Sequence, residues 1–386
     1  MSLMSSKETD LPCATTLLAG IRQRATEQLK RQLSQFAGKF PAACSINGKY
    51  PLTANTDWTT GFWSGICWLA WQMSDDEVFL QQLQQQIPSF GERLAQRHDI
   101  ETHDLGFLYS LSCVNTWRGT GDEAARRYAL QAANLLAARY HPRAKIIQAW
   151  GDLQDPSQQG RMIIDCMMNL PLLYWASEQT GDRHYAQLAW NHASRACDYL
   201  VREDFSTFHT FYMDVNSGAP RKGSTHQGFA DDSCWARGQA WAIYGFALSY
   251  GYTGDRRFLV TAIETARYFL AYLPADKICN WDLHLTTADT AKDSSAAAIA
   301  VCGLLELIKH LSVLHPQREY FERQALLIMD ELCTSYYQHA DVNNGYLLHA
   351  VYNMNKSRGV DEYYIWGDYF FFEALSRLSA PLAKYW

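Results

Sequence analysis

Apolar and polar positions follow two rhythms along this chain. Stretches such as ARRYALQAANLLAARY (125–140) and HYAQLAWNHASRACDYL (184–200) place apolar residues every three or four positions and keep the opposite side polar. That spacing predicts amphipathic helices with one face on a core. Between them lie segments that are apolar nearly all round, each beginning near an acid. They are GFWSGICWLAWQM after Asp57, LGFLYSLSCV after Asp104, CMMNLPLLYWASEQ after Asp165, SCWARGQAWAIYGFALSYG after Asp232, SSAAAIAVCGLLELIKHL after Asp293 and YFFFEALSRL after Asp368. A helix lacking a polar face is enclosed by other helices.

Three of the junctions repeat Thr-Gly-Asp, at 120–122, 180–182 and 253–255, with degenerate versions at 74–76 and 315–317. Glycine just past a helix end accepts a left-handed cap, and aspartate at the next start satisfies free amides. Each triplet therefore closes an enclosed helix and opens an amphipathic one. The six acids, spaced by 47, 61, 67, 61 and 75 residues, mark six such units. Six enclosed helices alternating with six amphipathic ones close most naturally into an all-α (α/α)6 barrel of six helical hairpins. We expect one domain over residues 1–386, with a flexible segment at 1–20. The inner helices run parallel, so their six starts, acids and positive dipole ends gather at one mouth. Strand-like stretches are few, near Tyr212-Met213-Asp214 and Gly345-Tyr346.

For any one of the six acids, capping a helix is an equal alternative to chemistry. Asp165 fits capping poorly, because Pro171 is comfortable only in a first turn and pushes the regular helix start beyond the acid. It also stands among Ile163, Ile164, Cys166, Met167 and Met168, where an ionised group loses hydration. Burial and a second carboxylate raise a carboxyl pKa by up to several units, whereas a helix N-terminus opposes this with only about 0.3–1 kcal/mol. A partly protonated Asp165 suits a general acid that later takes the proton back. Asp104, in His103-Asp104-Leu105-Gly106-Phe107, is the candidate second carboxylate.

Composition narrows the partners. With 34 basic and 40 acidic residues, a net charge of −6 and no run of one sign, neither a nucleic-acid groove nor a membrane face is indicated. No apolar stretch reaches 18 residues and the N-terminus lacks a signal-peptide pattern, so a cytoplasmic protein is expected, as monomer or dimer. The ten cysteines are scattered without CxxC pairs or histidine clusters, which reads as reduced core residues and no metal site. Thirteen tryptophans and 22 tyrosines are a heavy aromatic load. Such rings fill helical cores or suit sugar faces. Trp58, Phe62, Trp63, Trp150, Trp235 and Trp241 fall at or before helix starts. Arg237 is either a structural ion pair with Asp231 or Asp232, or a ligand for an anion. Among His103, His209 and His226, His103 is favoured because it adjoins Asp104.

The segments His103-Asp104-Leu105-Gly106-Phe107, Ile164-Asp165-Cys166-Met167-Met168-Asn169-Leu170-Pro171 and Gln227-Gly228-Phe229-Ala230-Asp231-Asp232-Ser233, running into Trp235-Ala236-Arg237-Gly238-Gln239-Ala240-Trp241, resemble the unsaturated glucuronyl hydrolases of glycoside hydrolase family 88. Asp293-Ser294-Ser295-Ala296 and Gly367-Asp368-Tyr369-Phe370 extend the likeness over about residues 50–378. The resemblance implies an (α/α)6 barrel without metal or organic cofactor. It implies action on lyase-generated oligosaccharides, most of all from glycosaminoglycans, whose terminal uronic acid has a C4=C5 double bond. In such an enzyme the acid at Asp165 protonates C4, water adds at C5, and the hemiketal opens. Asp104 holds ring hydroxyls and keeps the Asp165 proton in place. By the same likeness Trp58, Phe62 and Trp150 stack on or enclose sugars, and His103, His209, Gln227, Arg237 and Trp241 contact substrate. Lys356, Ser357 and Arg358 are either a sulfate-binding element, as in relatives that take sulfated fragments, or a solvated basic loop. The alternatives are an unsaturated rhamnogalacturonyl hydrolase on pectin fragments and an N-acyl-sugar epimerase working through a pair of bases.

Overall fold

In the computed structural model, residues 11–340, 343–379 and 384–386 are described. Six inner units alternate with six outer helices. The inner units are α2 (Thr60–Ser74), α4 (Leu105–Tyr109) running through a π turn (Ser110–Val114) into α5 (Asn115–Thr120), α7 (Pro171–Thr180), α9 (Ala236–Thr253), α11 (Ser294–His310) and α13 (Ile365–Ser379). The outer helices are α1 (Leu11–Gln32), α3 (Glu77–Ala95), α6 (Glu123–Ala138), α8 (Arg183–Arg195), α10 (Arg256–Ala271) and α12 (Arg318–Glu331). Each inner unit touches the next, and α13 closes the ring on α2. The all-α barrel read from the sequence is the architecture found.

The hairpin junctions are built by their capping residues. Gly121, Gly181 and Gly254 take left-handed φ values of 73°, 75° and 69°. Asp122, Asp182 and Asp255 then accept backbone N–H groups of Ala124, His184 and Arg257. Asp76 does the same for α3. Pro171 occupies the first turn of α7 and leaves Asp165 in a separate 3-10 turn, Ile164–Met168.

Four local expectations change. Residues 11–20, half of the segment expected to be flexible, are helical, while 1–10 lie outside the described residues. Asp232 is exposed in a turn, and α9 begins four residues later behind Trp235. Asp368 lies inside the first turn of α13, which begins three residues earlier. The expected strand near Tyr212 is present (Thr210–Met213), but the one near Gly345 falls at Ala350–Asn353, paired with Arg358–Glu362.

Aromatic rings from four inner helices meet on the barrel axis. Phe62 and Phe107 lie 5.2 Å apart, Phe107 and Trp241 5.4 Å, and Trp241 and Phe370 5.3 Å, centroid to centroid. Trp386 stacks under Phe370 at 6.2 Å, and its indole N–H bonds Glu373 Oε2 at 2.9 Å. Beside it Arg377 spans Glu306 and Glu373, all buried. This plug makes a solid floor for whatever stands above it.

Candidate active site

Several short segments are knitted together above that floor. Residues 161–163 pair antiparallel with 210–213, which pair with 220–224. The ladder continues outward: Ala149 N donates to Arg161 O at 3.0 Å, and His103 N to Ala149 O at 2.7 Å. Ile164, at the end of the first strand, bonds His209 O through its N–H at 3.1 Å. The ladder thus gathers Asp104, Asp165 and His209. Gly106 brings α4 onto the Asp165 turn, since a Cβ there stands 2.3 Å from Asn169 Cα. Asn169 fastens the contact, accepting from Phe107 N at 2.8 Å and donating to Asp165 O at 3.3 Å.

Ile163, Ile164, Cys166, Met167 and Met168 are buried around Asp165, whose side chain keeps only 17% exposure. Burial first and the nearby Asp104 charge second push the Asp165 carboxyl up to about 7, against Arg237 and the Trp241 indole. Burial pushes Asp104 up to about 6, opposed by the Thr102 hydroxyl, Arg93 and Arg139. Thr102 Oγ1 donates to Asp104 Oδ2 at 2.7 Å. The two acids titrate as a pair, and near neutrality the charge rests on Asp104 and the proton on Asp165. Asp165 Oδ2 and Trp241 Nε1 are buried with no hydrogen-bond partner among the described residues. A buried polar atom left free inside a cup is available to a ligand.

The histidines are donors. His209 Nδ1 accepts the N–H groups of His226 at 3.0 Å and Gln227 at 3.3 Å. Its proton is therefore on Nε2, which faces Asp165 Oδ2 at 3.8 Å. Burial holds His209 well below its usual pKa, so it is neutral. His103 Nε2 stands 3.4 Å from Asp104 Oδ1, and burial pushes His103 down to about 3.

Arg237 corrects an expectation. Its partner is Asp293, at 2.6 Å, while Asp231 and Asp232 are exposed and Asp231 instead holds Thr225 N. Arg237 also donates to Val351 O at 2.7 Å and to Gln227 Oε1 and Tyr352 O, both at 2.9 Å, and lies over Trp235. Four fixed acceptors and an aromatic face make it a rigid wall of the site.

The rim is aromatic and cationic. Trp58 is half-buried, stacks on Trp366 at 5.2 Å and donates to Tyr352 Oη at 3.0 Å. Phe62 is fully buried under Trp58, so it supports that ring and has no face for a sugar. Trp150 is 37% exposed, with Arg161 over its ring at 4.8 Å and His226 against its edge at 5.2 Å. Lys356 and Ser357 are exposed on a turn bonded to the same neighbourhood: Asn353 Nδ2 donates to His226 O and Asn355 Nδ2 to Gly228 O. Burial, then Arg161 and Lys356, hold His226 below its usual pKa. Among the described residues no three His, Cys, Asp or Glu side chains stand where they would hold a metal, and no helix is long and apolar enough to cross a membrane. The nine cysteines described are free.

Against known proteins, the model of Glycosyl Hydrolase Family 88 matches residues 32–370. The chain belongs to this family. Among family 88 relatives, it is 44% identical to an unsaturated glucuronyl hydrolase of Bacillus sp. (strain GL1), over 92% of this chain and 95% of that one. It is 40% identical to an unsaturated chondroitin disaccharide hydrolase of Streptococcus pneumoniae (strain ATCC BAA-255 / R6), over 94% and 92%. A solved structure of a mutant unsaturated glucuronyl hydrolase from Streptococcus agalactiae, complexed with dGlcA-GalNAc6S, is 35% identical, covers 100% of both chains and superposes with a TM-score of 0.84.

Sequence reading missed Thr102, Arg161, Asp293 as the Arg237 partner, and Tyr352. Asp293 carried a signal, as one of the six acids at helix starts. The others lie on short strands and turns with no periodic pattern.

Proposed function

We propose that this protein is an unsaturated glucuronyl hydrolase, which removes the terminal Δ4,5-unsaturated uronic acid from lyase-generated glycosaminoglycan oligosaccharides. The observation that carries the chemistry is the Asp165 carboxyl: sunk, pushed up to about 7, and with Oδ2 unpartnered beside the Asp104 charge. Asp165 gives its proton to C4 of the vinyl ether. Its carboxylate then accepts a proton from the water that adds at C5. The C5 hemiketal opens by cleavage of C5–O5 to a C5 ketone, which leaves a hemiacetal at C1. Its collapse releases the remaining saccharide as an alcohol and the uronic acid as a keto acid. The glycosidic bond breaks as a consequence, so carboxyl separation predicts no retaining or inverting outcome.

Asp104 holds the sugar hydroxyls and keeps the Asp165 proton in place by like-charge repulsion. The His209 Nε2–H, the Gln227 amide and the Trp241 indole supply donors, His103 holds Asp104, Arg237 supplies a fixed positive wall, and Trp58 and Trp150 supply ring faces. The site works with no metal or cofactor. An epimerase is disfavoured because its bases need a free lone pair on the substrate side, whereas His209 has its lone pair engaged by backbone amides.

The terminal sugar rests above the aromatic floor, and the rest of the chain passes Trp150 and the cationic rim. Lys356 and Ser357 stand there as the sulfate-reading residues, a reading supported by the dGlcA-GalNAc6S complex of the S. agalactiae relative. The test is a panel of unsaturated disaccharides from chondroitin, hyaluronan and rhamnogalacturonan, followed by loss of the double-bond absorbance. Turnover of the chondroitin or hyaluronan products is expected. Turnover of the rhamnogalacturonan product alone refutes the substrate, and an intact disaccharide as product refutes the reaction.

A further inference from the structure

A second histidine stands behind the first. His192, near the end of the outer helix α8, is fully buried, and its Nδ1 accepts the Ile147 N–H at 2.8 Å. A backbone amide always donates, so the one proton of neutral His192 lies on Nε2. That Nε2 has no hydrogen-bond partner among the described residues. Two residues along the chain, Ala149 O holds the backbone of His103, whose Nδ1 is likewise buried and without a partner among the described residues. The two rings lie within electrostatic reach, and both are driven to the neutral form by burial.

One unpartnered nitrogen is a donor, and the other is free to accept. If His103 carried its proton on Nδ1, both unpartnered nitrogens would be donors and His103 would donate nothing to Asp104. With the proton on Nε2, every nitrogen has a complement. We propose that His192 is a positioning residue that gives its Nε2–H to His103 Nδ1 through one buried water, and thereby holds the Nε2–H of His103 on Asp104. A chain of donors runs from Ile147 N–H through two imidazoles to the carboxylate, and it favours the anionic form of Asp104. The groups facing His103 are Arg139, Asp104, His192 and His209. Those facing Asp104 are Thr102, His103, Arg93, Arg139, Asp165 and Cys166. Arg139 Nη1 is another buried donor without a hydrogen-bond partner among the described residues, but it stands 3.6 Å from the Glu101 carboxylate, an acceptor that His192 Nε2 lacks.

The effect on the reaction rests on the proposed roles of Asp104 and Asp165, but the tautomer can be read without substrate. In protein labelled with nitrogen-15 histidine, NMR is expected to show His103 and His192 both protonated at Nε2 and bare at Nδ1. Protonation of His103 at Nδ1 in the unaltered protein overturns the proposal, whatever the activity. Among variants, His192→Phe removes the donor, while His192→Gln places an amide N–H where Nε2–H stood. The Phe variant is expected to narrow the pH profile of kcat/KM by about half a pH unit on each limb. Asp104 then ionises later, and Asp165 loses its proton earlier. The Gln variant is expected to keep the profile. A folded Phe variant with unchanged limbs, or a Gln variant shifted as far as the Phe variant, also overturns it. Should the Phe variant not fold, the spectrum of the unaltered protein and the Gln profile still decide.

Discussion

Asp165 and Asp368 are both buried at inner-helix starts, and burial pushes both up to about 7. They differ in what fills their oxygens. Asp368 Oδ1 accepts the N–H groups of Tyr346 at 3.0 Å and Leu347 at 2.9 Å, and Oδ2 accepts the Tyr50 hydroxyl at 2.8 Å. It ties two loops to α13 and has nothing left to offer. Asp165 Oδ2 and the Trp241 indole N–H beside it both lack a well-formed hydrogen bond, so that each is open to a ligand. The difference teaches that burial alone does not mark a working acid. A buried carboxyl that is saturated is structure; one that is unsaturated and beside a second acid is poised for chemistry.

The contrast is sharpest in activity. Asp165→Asn is expected to lower kcat by on the order of 10³-fold with substrate binding largely kept, because general acid–base groups contribute roughly 10²–10⁴. Single-turnover absorbance and binding by calorimetry read the two separately, and an active Asn variant removes the proposed acid. Asp368→Asn is expected to do the reverse. An amide NH2 in place of one acceptor oxygen faces a donor and leaves it unsatisfied, which costs about 1–3 kcal/mol of stability by urea unfolding, with kcat/KM of the folded fraction nearly unchanged. If Asp368→Asn abolished turnover in a folded protein, saturation would no longer separate the two acids.

A smaller effect tests the titration. The folded pKa of Asp165, about 7, lies above the ordinary 3.8 of an aspartate. Its contribution to stability is therefore fully present below pH 3.8 and is lost as pH rises through about 7. An asparagine has no such loss, so the stability of Asp165→Asn relative to the unaltered protein should rise by about 2–3 kcal/mol from pH 5 to pH 8. Thermal melts at the two pH values read this, and a gap independent of pH means that Asp165 is not protonated in the fold. By the same sign, kcat/KM should fall as pH rises through about 7. The smallest expected change is at the rim. Lys356→Ala should weaken turnover of sulfated disaccharides about three- to tenfold more than unsulfated ones, as for one exposed charge pair. Equal effects on both would make this turn a solvated basic loop.

The barrel was legible because its signals are local. A Gly that ends one helix and an Asp that starts the next act within three residues, so the hairpins could be counted from the chain. Asp165 was legible as an anomaly, an acid in an apolar run with Pro171 behind it. What escaped depends on contacts between distant segments. Arg237 passes over Asp231 and Asp232, six and five residues away, for Asp293, because the nearer pair sits on an exposed turn. The ladder that brings Asp104 to Asp165 is made of strands of three to five residues, too short to show alternation. Phe62 has the composition and place of a sugar-stacking ring. Only the fold reveals Trp58 above it.

The ring of Phe62, Phe107, Trp241 and Phe370, with Trp386 stacked beneath, closes the inner end of the site among the described residues. Whatever is cut off from the deepest position cannot slip out behind its leaving partner. The shortened saccharide departs first and the keto acid follows, an ordered exit in which the keto acid competes with incoming substrate and the saccharide does not.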